Sequence, residues 1–116
     1  MSIMETLIKE NCVRPTMGGP SLSDAEAADL KPQIPEWAVM QVDGVQQLER
    51  AYKFEDFVQA LDFTNRVGEL AEEQGHHPAL LTEWGNVTVT WWTHAVKGLH
   101  RNDFIAAAKT DVLYRG

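Results

Sequence analysis

Two hairpin-like stretches divided by one helical period and followed by another predict an α+β fold, an antiparallel sheet with its helices packed on one face. The dipeptides Asp43-Gly44 and Gly85-Asn86 carry the turn signal. Between Asp56 and Gln74 the apolar residues recur at helical rather than strand spacing. The order read along the chain is α-β-β-α-β-β-α, a two-layer arrangement in which the β-β-α unit occurs twice. A chain of 116 residues is one ordinary domain. We read residues 1–20 as a loosely ordered arm and residues 21–116 as the folded domain.

The arm lacks sustained periodicity and ends in Met17-Gly18-Gly19-Pro20. Ser23 can cap a short helix, and Glu26 three residues later completes a capping-box pattern. Pro32 and Pro35 close that helix by about residue 31 to 33. Trp37 to Val42 and Val45 to Phe54 then flank the first turn. In the central helix Phe57, Leu61, Thr64, Gly68 and Ala71 make one row, which Ala60, Phe63, Val67 and Leu70 widen into a stripe. Gly75 sits where a left-handed cap would end it. Leu80 to Trp84 and Val87 to Thr93 form the second strand pair, and the latter alternates Val87, Val89, Trp91 against Thr88, Thr90, Trp92. The last helix, about residue 101 to 113, sets Phe104, Ile105, Ala108 and Val112 on one face.

Composition excludes several classes of function. With 44% hydrophobic and 23% charged residues the chain is neither a disordered tail nor a membrane protein. Ten basic residues against seventeen acidic ones give a net charge of −7, which repels nucleic-acid backbones. Cys12 is the only cysteine, so an internal disulfide and a multi-thiolate zinc site are ruled out. The longest charge-free stretch, Trp84 to Val96, is too short and too rich in Thr, Gly and Asn to span a bilayer. Glu5, Lys9, Glu10 and Arg14 interrupt the first twenty residues, so a secretory signal is not expected and a cytoplasmic location is.

The residues suited to chemistry are histidines. His76 and His77 adjoin a helix end and are followed by Pro78, while His94 closes a regular strand. Glu72 precedes His76 by four residues, one helical turn, and Asp103 opens the last helix. Imidazole suits proton transfer near neutrality, and a carboxylate can fix its tautomer. Without a serine or cysteine nucleophile beside them, these groups point to acid–base rather than covalent catalysis. Bland roles stand beside these. The pair can cap helix carbonyls, Asp103 can serve as a first-turn carboxylate, and Glu72 can be a solvated helix residue. There is no His-x-x-x-His on a helix and no His-Glu-x-x-His, so no metal is expected.

Glu72-x-x-x-His76-His77-Pro78, Trp84, His94 and Asp103, at their spacings of five, nine and eight residues, resemble the signature of pterin-4a-carbinolamine dehydratases. The resemblance extends to Trp37, Phe54-Glu55-Asp56-Phe57-Val58-Gln59-Ala60, Asn65-Arg66-Val67, Val87-Thr88-Val89-Thr90, Gly98-Leu99 and Asn102-Asp103-Phe104, covering about residue 22 to 112. The strings Gly75-His76-His77-Pro78 to Gly85 and Trp91-Trp92-Thr93-His94 are similar to the bacterial branch that accompanies phenylalanine hydroxylase.

The resemblance implies a β-β-α-β-β-α two-layer domain. It implies dehydration of 4a-hydroxytetrahydrobiopterin to quinonoid dihydrobiopterin and water, without cofactor or metal. It further implies that His76 and His94 are the acid and base and that His77 binds or orients the pterin. Glu72 would polarise His76, and Asp103 would orient His94. Trp37 would lie near the pterin pocket, while Trp84 would be structural. Self-association as a dimer or tetramer and a functional link to phenylalanine hydroxylase are implied as well. Because animal relatives also partner a homeodomain transcription factor, the alternative reading is a non-catalytic interaction or regulatory protein. His100 departs from the Ser or Thr common in relatives, which would cost the last helix its usual cap.

Overall fold

The computed structural model describes residues 6–115. A single turn, α1 (Thr6–Lys9), precedes α2 (Asp24–Leu30) and a 3₁₀ turn at Lys31–Gln33. Two strands, β1 (Ala38–Val42) and β2 (Val45–Lys53), lead into the long helix α3 (Phe57–Gln74). Strands β3 (Ala79–Glu83) and β4 (Asn86–Trp91) follow, then a 3₁₀ turn at His94–Val96 and α4 (Arg101–Arg115). The sheet is antiparallel throughout, in the order β1-β2-β4-β3. This is the α+β architecture that the sequence predicts.

Local signals set most boundaries. Ser23 Oγ accepts from the Glu26 amide while Glu26 returns its carboxylate to the Ser23 amide, a complete capping box for α2. At the first hairpin Val42 pairs with Val45, leaving Asp43 and Gly44 to turn with φ of 52° and 80°. Two consecutive positive φ angles match the twist of the flanking strands, and Asp and Gly tolerate them best. Asp56 caps α3 by accepting from the Gln59 amide.

The second hairpin differs from the expectation by one residue. Glu83 pairs with Asn86, so Trp84 and Gly85 form the turn, and Gly85 takes φ 74°. Trp84 is consequently 74% exposed at the hairpin tip and packs in no core, against its expected structural role.

Leu48, Tyr52, Val87, Val89 and Trp91 point from one sheet face into the core and meet Ala60, Phe63, Val67 and Ala71 of α3. The buried row of α3 is thus the one that widened the stripe. Phe57 and Leu61, from the row first read, remain 44% exposed. In α4 every residue from Asn102 to Ala108 is buried, because the helix lies between the sheet, α3 and the N-terminal segment. Val112, expected on the apolar face, is exposed beyond that covered stretch.

The N-terminal segment, read from sequence as a loose arm, is laid against α4 from residue 7 onward. Leu7 is fully buried. Lys109 Nζ donates to the Ile8 carbonyl at 2.8 Å, and Arg101 grips Glu10 through two bonds of 2.7 and 2.6 Å. Leu7, Ile8 and Cys12 pack on the core, but they are too few and too irregularly spaced to make an apolar period, and side-chain amides and cations carry the rest of the contact.

Candidate active site

The residues around His76 are delivered by the ends of three elements. At the C-terminus of α3, Gly75 takes φ 64°, and its amide and that of His76 both return to the Ala71 carbonyl. This left-handed cap breaks the helical phase and turns the two histidines apart. His76 goes inward, with its side chain 11% exposed, while the His77 side chain is 63% exposed.

His76 Nε2 lies 2.6 Å from Asp103 Oδ1, and the Asp103 side chain is fully buried. The imidazole stacks on Trp91, with centroids 5.3 Å apart and planes 20° from parallel. Asp103 Oδ2 accepts from the Thr93 hydroxyl at 2.8 Å and from the His100 amide at 2.9 Å. With Oδ2 held by two donors, the bond at Oδ1 is completed when Nε2 of His76 bears the proton. In that tautomer the neutral ring keeps Nδ1 as its acceptor nitrogen.

His77 Nε2 sits 2.5 Å from Glu72 Oε2 at the surface. Each carboxylate therefore serves a different histidine from the one expected. Glu72 serves His77 rather than His76, because the left-handed residue between them cancels the one-turn spacing. Asp103 serves His76 rather than His94, because the chain folds back at the Thr93–Gly98 bridge and presents Thr93 to Asp103.

His94 opens the 3₁₀ turn, is exposed, and meets Trp92 edge-on at 5.8 Å. With Val42, Asp43, Val45, Gln47 and Trp92 it borders a depression beside the β1–β2 turn. His76 and Asp103 are thus brought together directly, and His77 joins Glu72. His94 is tied to this cluster through its neighbour Thr93.

Trp37 does not join the histidines. It is 1% exposed, so its ring is core rather than pocket lining. Its indole N–H donates to Asp111 Oδ1 at 3.0 Å, towards the opposite end of α4 from Asp103. The same oxygen accepts from Arg50 at 2.6 Å and from Tyr52 at 2.5 Å. Burial, and then the Asp111 charge, pushes the Tyr52 hydroxyl well above its usual range, so it stays a donor.

Sequence reasoning missed three participants. Thr93 had only the adjoining His94 to mark it, and Trp91 was read as core. His100 was expected to leave α4 uncapped. Instead its Nδ1 accepts from the Asn102 amide at 3.0 Å while its own amide donates to Asp103. An imidazole thus takes the place of the hydroxyl in a capping box whose carboxylate is Asp103.

Among the described residues no group of three or more His, Cys, Asp or Glu is arranged to hold a metal ion. No helix among them is long and apolar enough to cross a membrane.

Three comparisons bear on this arrangement. The family model described as pterin 4 alpha carbinolamine dehydratase matches residues 20–113. A protein of Syntrophotalea carbinolica named "Putative pterin-4-alpha-carbinolamine dehydratase" is 56% identical over 110 residues, covering 95% of this chain and 98% of its own. A protein of Nitrosococcus oceani with the same name is 54% identical over 112 residues, 97% of this chain and 99% of its own. Among solved structures, a transcriptional coactivator/pterin dehydratase from Brucella melitensis superposes with a TM-score of 0.71 at 29% identity. It covers 80% of this chain and 97% of that one.

Proposed function

The chain belongs to the pterin-4a-carbinolamine dehydratase family, and we propose that it dehydrates 4a-hydroxytetrahydrobiopterin to quinonoid dihydrobiopterin by histidine acid–base catalysis. The observation that carries this reading is the His76–Asp103 pair, an imidazole held by a fully buried carboxylate with its second nitrogen left over. The reaction asks for two proton transfers. The C4a hydroxyl must accept a proton to depart as water, and the N5 proton must pass to a base. Two imidazoles in opposite protonation states meet both needs, and each positioned group is worth roughly a hundred-fold in rate.

In this reading His76 and His94 are the acid and base. Asp103 holds His76, with Thr93 and the His100 amide holding Asp103 in turn. His77, fixed by Glu72, orients the pterin at the exposed side of the site. The reaction needs no redox partner, since the electron pair of the departing C4a–O bond is replaced by that of the N5–H bond.

The source of such a carbinolamine is an aromatic amino-acid hydroxylase that splits oxygen at its tetrahydropterin. We place the protein in the cytoplasm beside phenylalanine hydroxylase on the strength of the sequence resemblance. Self-association belongs to the same reading. All five residues of β1, an edge strand, are exposed, which offers an unpaired backbone to a second sheet.

The test follows the ultraviolet absorbance of freshly generated 4a-hydroxytetrahydropterin as it decays. Acceleration by the wild-type protein, lost in His76→Ala and His94→Ala, is the expected result. A folded wild-type protein that leaves the decay unchanged removes the enzyme reading. An effect on hydroxylase turnover that persists in His76→Ala favours a non-catalytic partnership instead.

A further inference from the structure

The two members of the His76–Asp103 pair come from segments 27 residues apart, and nothing in either helix alone sets their separation. Each is flanked by a side-chain amide. Gln74 stands two residues before His76, and Asn102 immediately precedes Asp103. Both amides use their donor and their acceptor on the same short piece of N-terminal chain. Gln74 Oε1 accepts from the Cys12 amide at 2.8 Å, and its Nε2 donates to Asn11 Oδ1 at 3.1 Å. Asn102 Oδ1 accepts from the Val13 amide at 3.0 Å, and its Nδ2 donates to the Val13 carbonyl at 2.6 Å. Residues 11, 12 and 13 thereby bridge the end of α3 to the start of α4.

We propose that residues 8–13 form a strap that sets the His76–Asp103 distance, with Gln74 and Asn102 as its positioning residues. The inference deepens the dehydratase reading and rests on it for the meaning of the pair. Several observations beyond the bridge support it. The strap is anchored against sliding by Lys109 on the Ile8 carbonyl and by the Glu10–Arg101 ion pair. Asn102 is only 2% exposed, so its bonds to Val13 face no competing water. Cys12 Sγ reaches the Asn102 carbonyl at 3.5 Å, and the Asp103 charge helps raise the Cys12 thiol, which puts the strap within the field of the carboxylate.

An amide is the side chain this task requires. Its planar head carries an acceptor beside N–H donors, which at Asn102 meet the N–H and C=O of one residue, Val13. A shift of about 1 Å in a catalytic group can cost a hundred-fold in rate, so a clamp this close to the pair acts on turnover rather than on substrate affinity.

Gln74→Met and Asn102→Leu keep side-chain volume and remove the amides, while Val67→Ala is a destabilised control in the core of α3. Three quantities are read on the full chain: kcat and KM for carbinolamine dehydration, the solvent exchange of the His76 ring proton by nuclear magnetic resonance, and Tm. The strap variants are expected to lose about tenfold in kcat with KM held within about twofold. Their ring proton is expected to exchange about tenfold faster, as local opening at the pair rises. Val67→Ala should lower Tm with neither change. Should Asn102→Leu fail to fold, Gln74→Met, at a half-buried position, decides alone. A Gln74→Met protein with wild-type kcat and ring-proton exchange overturns the inference, whatever its Tm. A wild-type protein without dehydratase activity would remove the enzymatic reading, yet the ring-proton exchange would still decide whether the strap sets the pair.

Discussion

Helix α4 carries two buried carboxylates, Asp103 in its first turn and Asp111 near its end, and their surroundings differ in kind. Asp111 faces a permanent cation, Arg50, and two neutral donors, Trp37 and Tyr52, all three on one oxygen. The Arg50 guanidinium also lies 4.4 Å over the Tyr52 ring and 5.5 Å over that of Tyr114. That cluster sets one cation against one anion with two neutral donors beside them. Asp103 instead faces an imidazole, a hydroxyl and a backbone amide. Its partner imidazole carries two nitrogens, of which the carboxylate occupies one. In the proposed reading the same residue type on the same helix is scaffold at one end and chemistry at the other, and the partner decides which.

The sharpest separation comes from removing each carboxylate. Asp111→Ala strands Arg50 and Tyr52 in a largely dry site and should cost about 3–5 kcal/mol of stability, read by urea unfolding. Dehydratase activity per folded molecule should stay within about twofold, because no residue of the cluster touches the pair. A loss of activity without loss of stability would erase the division between the two ends.

At the other end, His76→Ala and Asp103→Asn should lower kcat by roughly a hundred-fold. Their decay kinetics set against their unfolding curves show whether activity falls further than stability. Should Asp103→Asn keep full activity, His76 does not depend on its carboxylate.

His100→Ala probes the contact between the two roles, because His100 both caps α4 and donates to Asp103. Losing the imidazole acceptor should cost about 1 kcal/mol, and His100→Ser, which restores an acceptor, should recover most of it. The backbone amide to Asp103 survives in either variant.

The smallest effect, that of the Asp103 charge on its surroundings, is read with Cys12 as a reporter. Burial foremost, then the Asp103 charge, pushes its thiol up to about 11, against a partial opposing pull from Lys109. The thiolate is disfavoured by both, so alkylation at pH 8.5 should run roughly a hundred-fold slower than for free cysteine. Removing the nearby charge with Asp103→Asn should speed that alkylation modestly. Asp111→Asn, at the far end of the helix, should leave it unchanged.

The sequence is most readable where one residue acts on its near neighbours. The Ser23–Glu26 box, the Asp43-Gly44 turn and the Gly75 cap each span six residues or fewer, and each is found in the structure. His76, His77 and His94 could be picked out as chemical groups, but their partners could not. The helical spacing from Glu72 to His76 fails because Gly75 leaves the helix before His76 is reached. Asp111 was unreadable for a different reason. It looks like a charged residue near a helix end, and its partners lie 74, 61 and 59 positions away. The strap was hidden because polar amides leave no apolar period, so a segment bound by them resembles a tail.

The strap also fixes an order of assembly. Its bonds to Asn102 and Lys109 join positions 89 and 101 residues apart, whereas the two hairpins close over a few residues each. During synthesis the strap is made before the strands and α3, while α4, which it must grip, is made after them. Closing so large a loop comes after the local hairpins and α3 have formed. The His76–Asp103 pair, dependent on the same helix, is completed at that step. A nascent chain stalled before α4 would have made all four strands and lack the His76–Asp103 pair, which would be completed together with the strap's grip by the fifteen residues of α4.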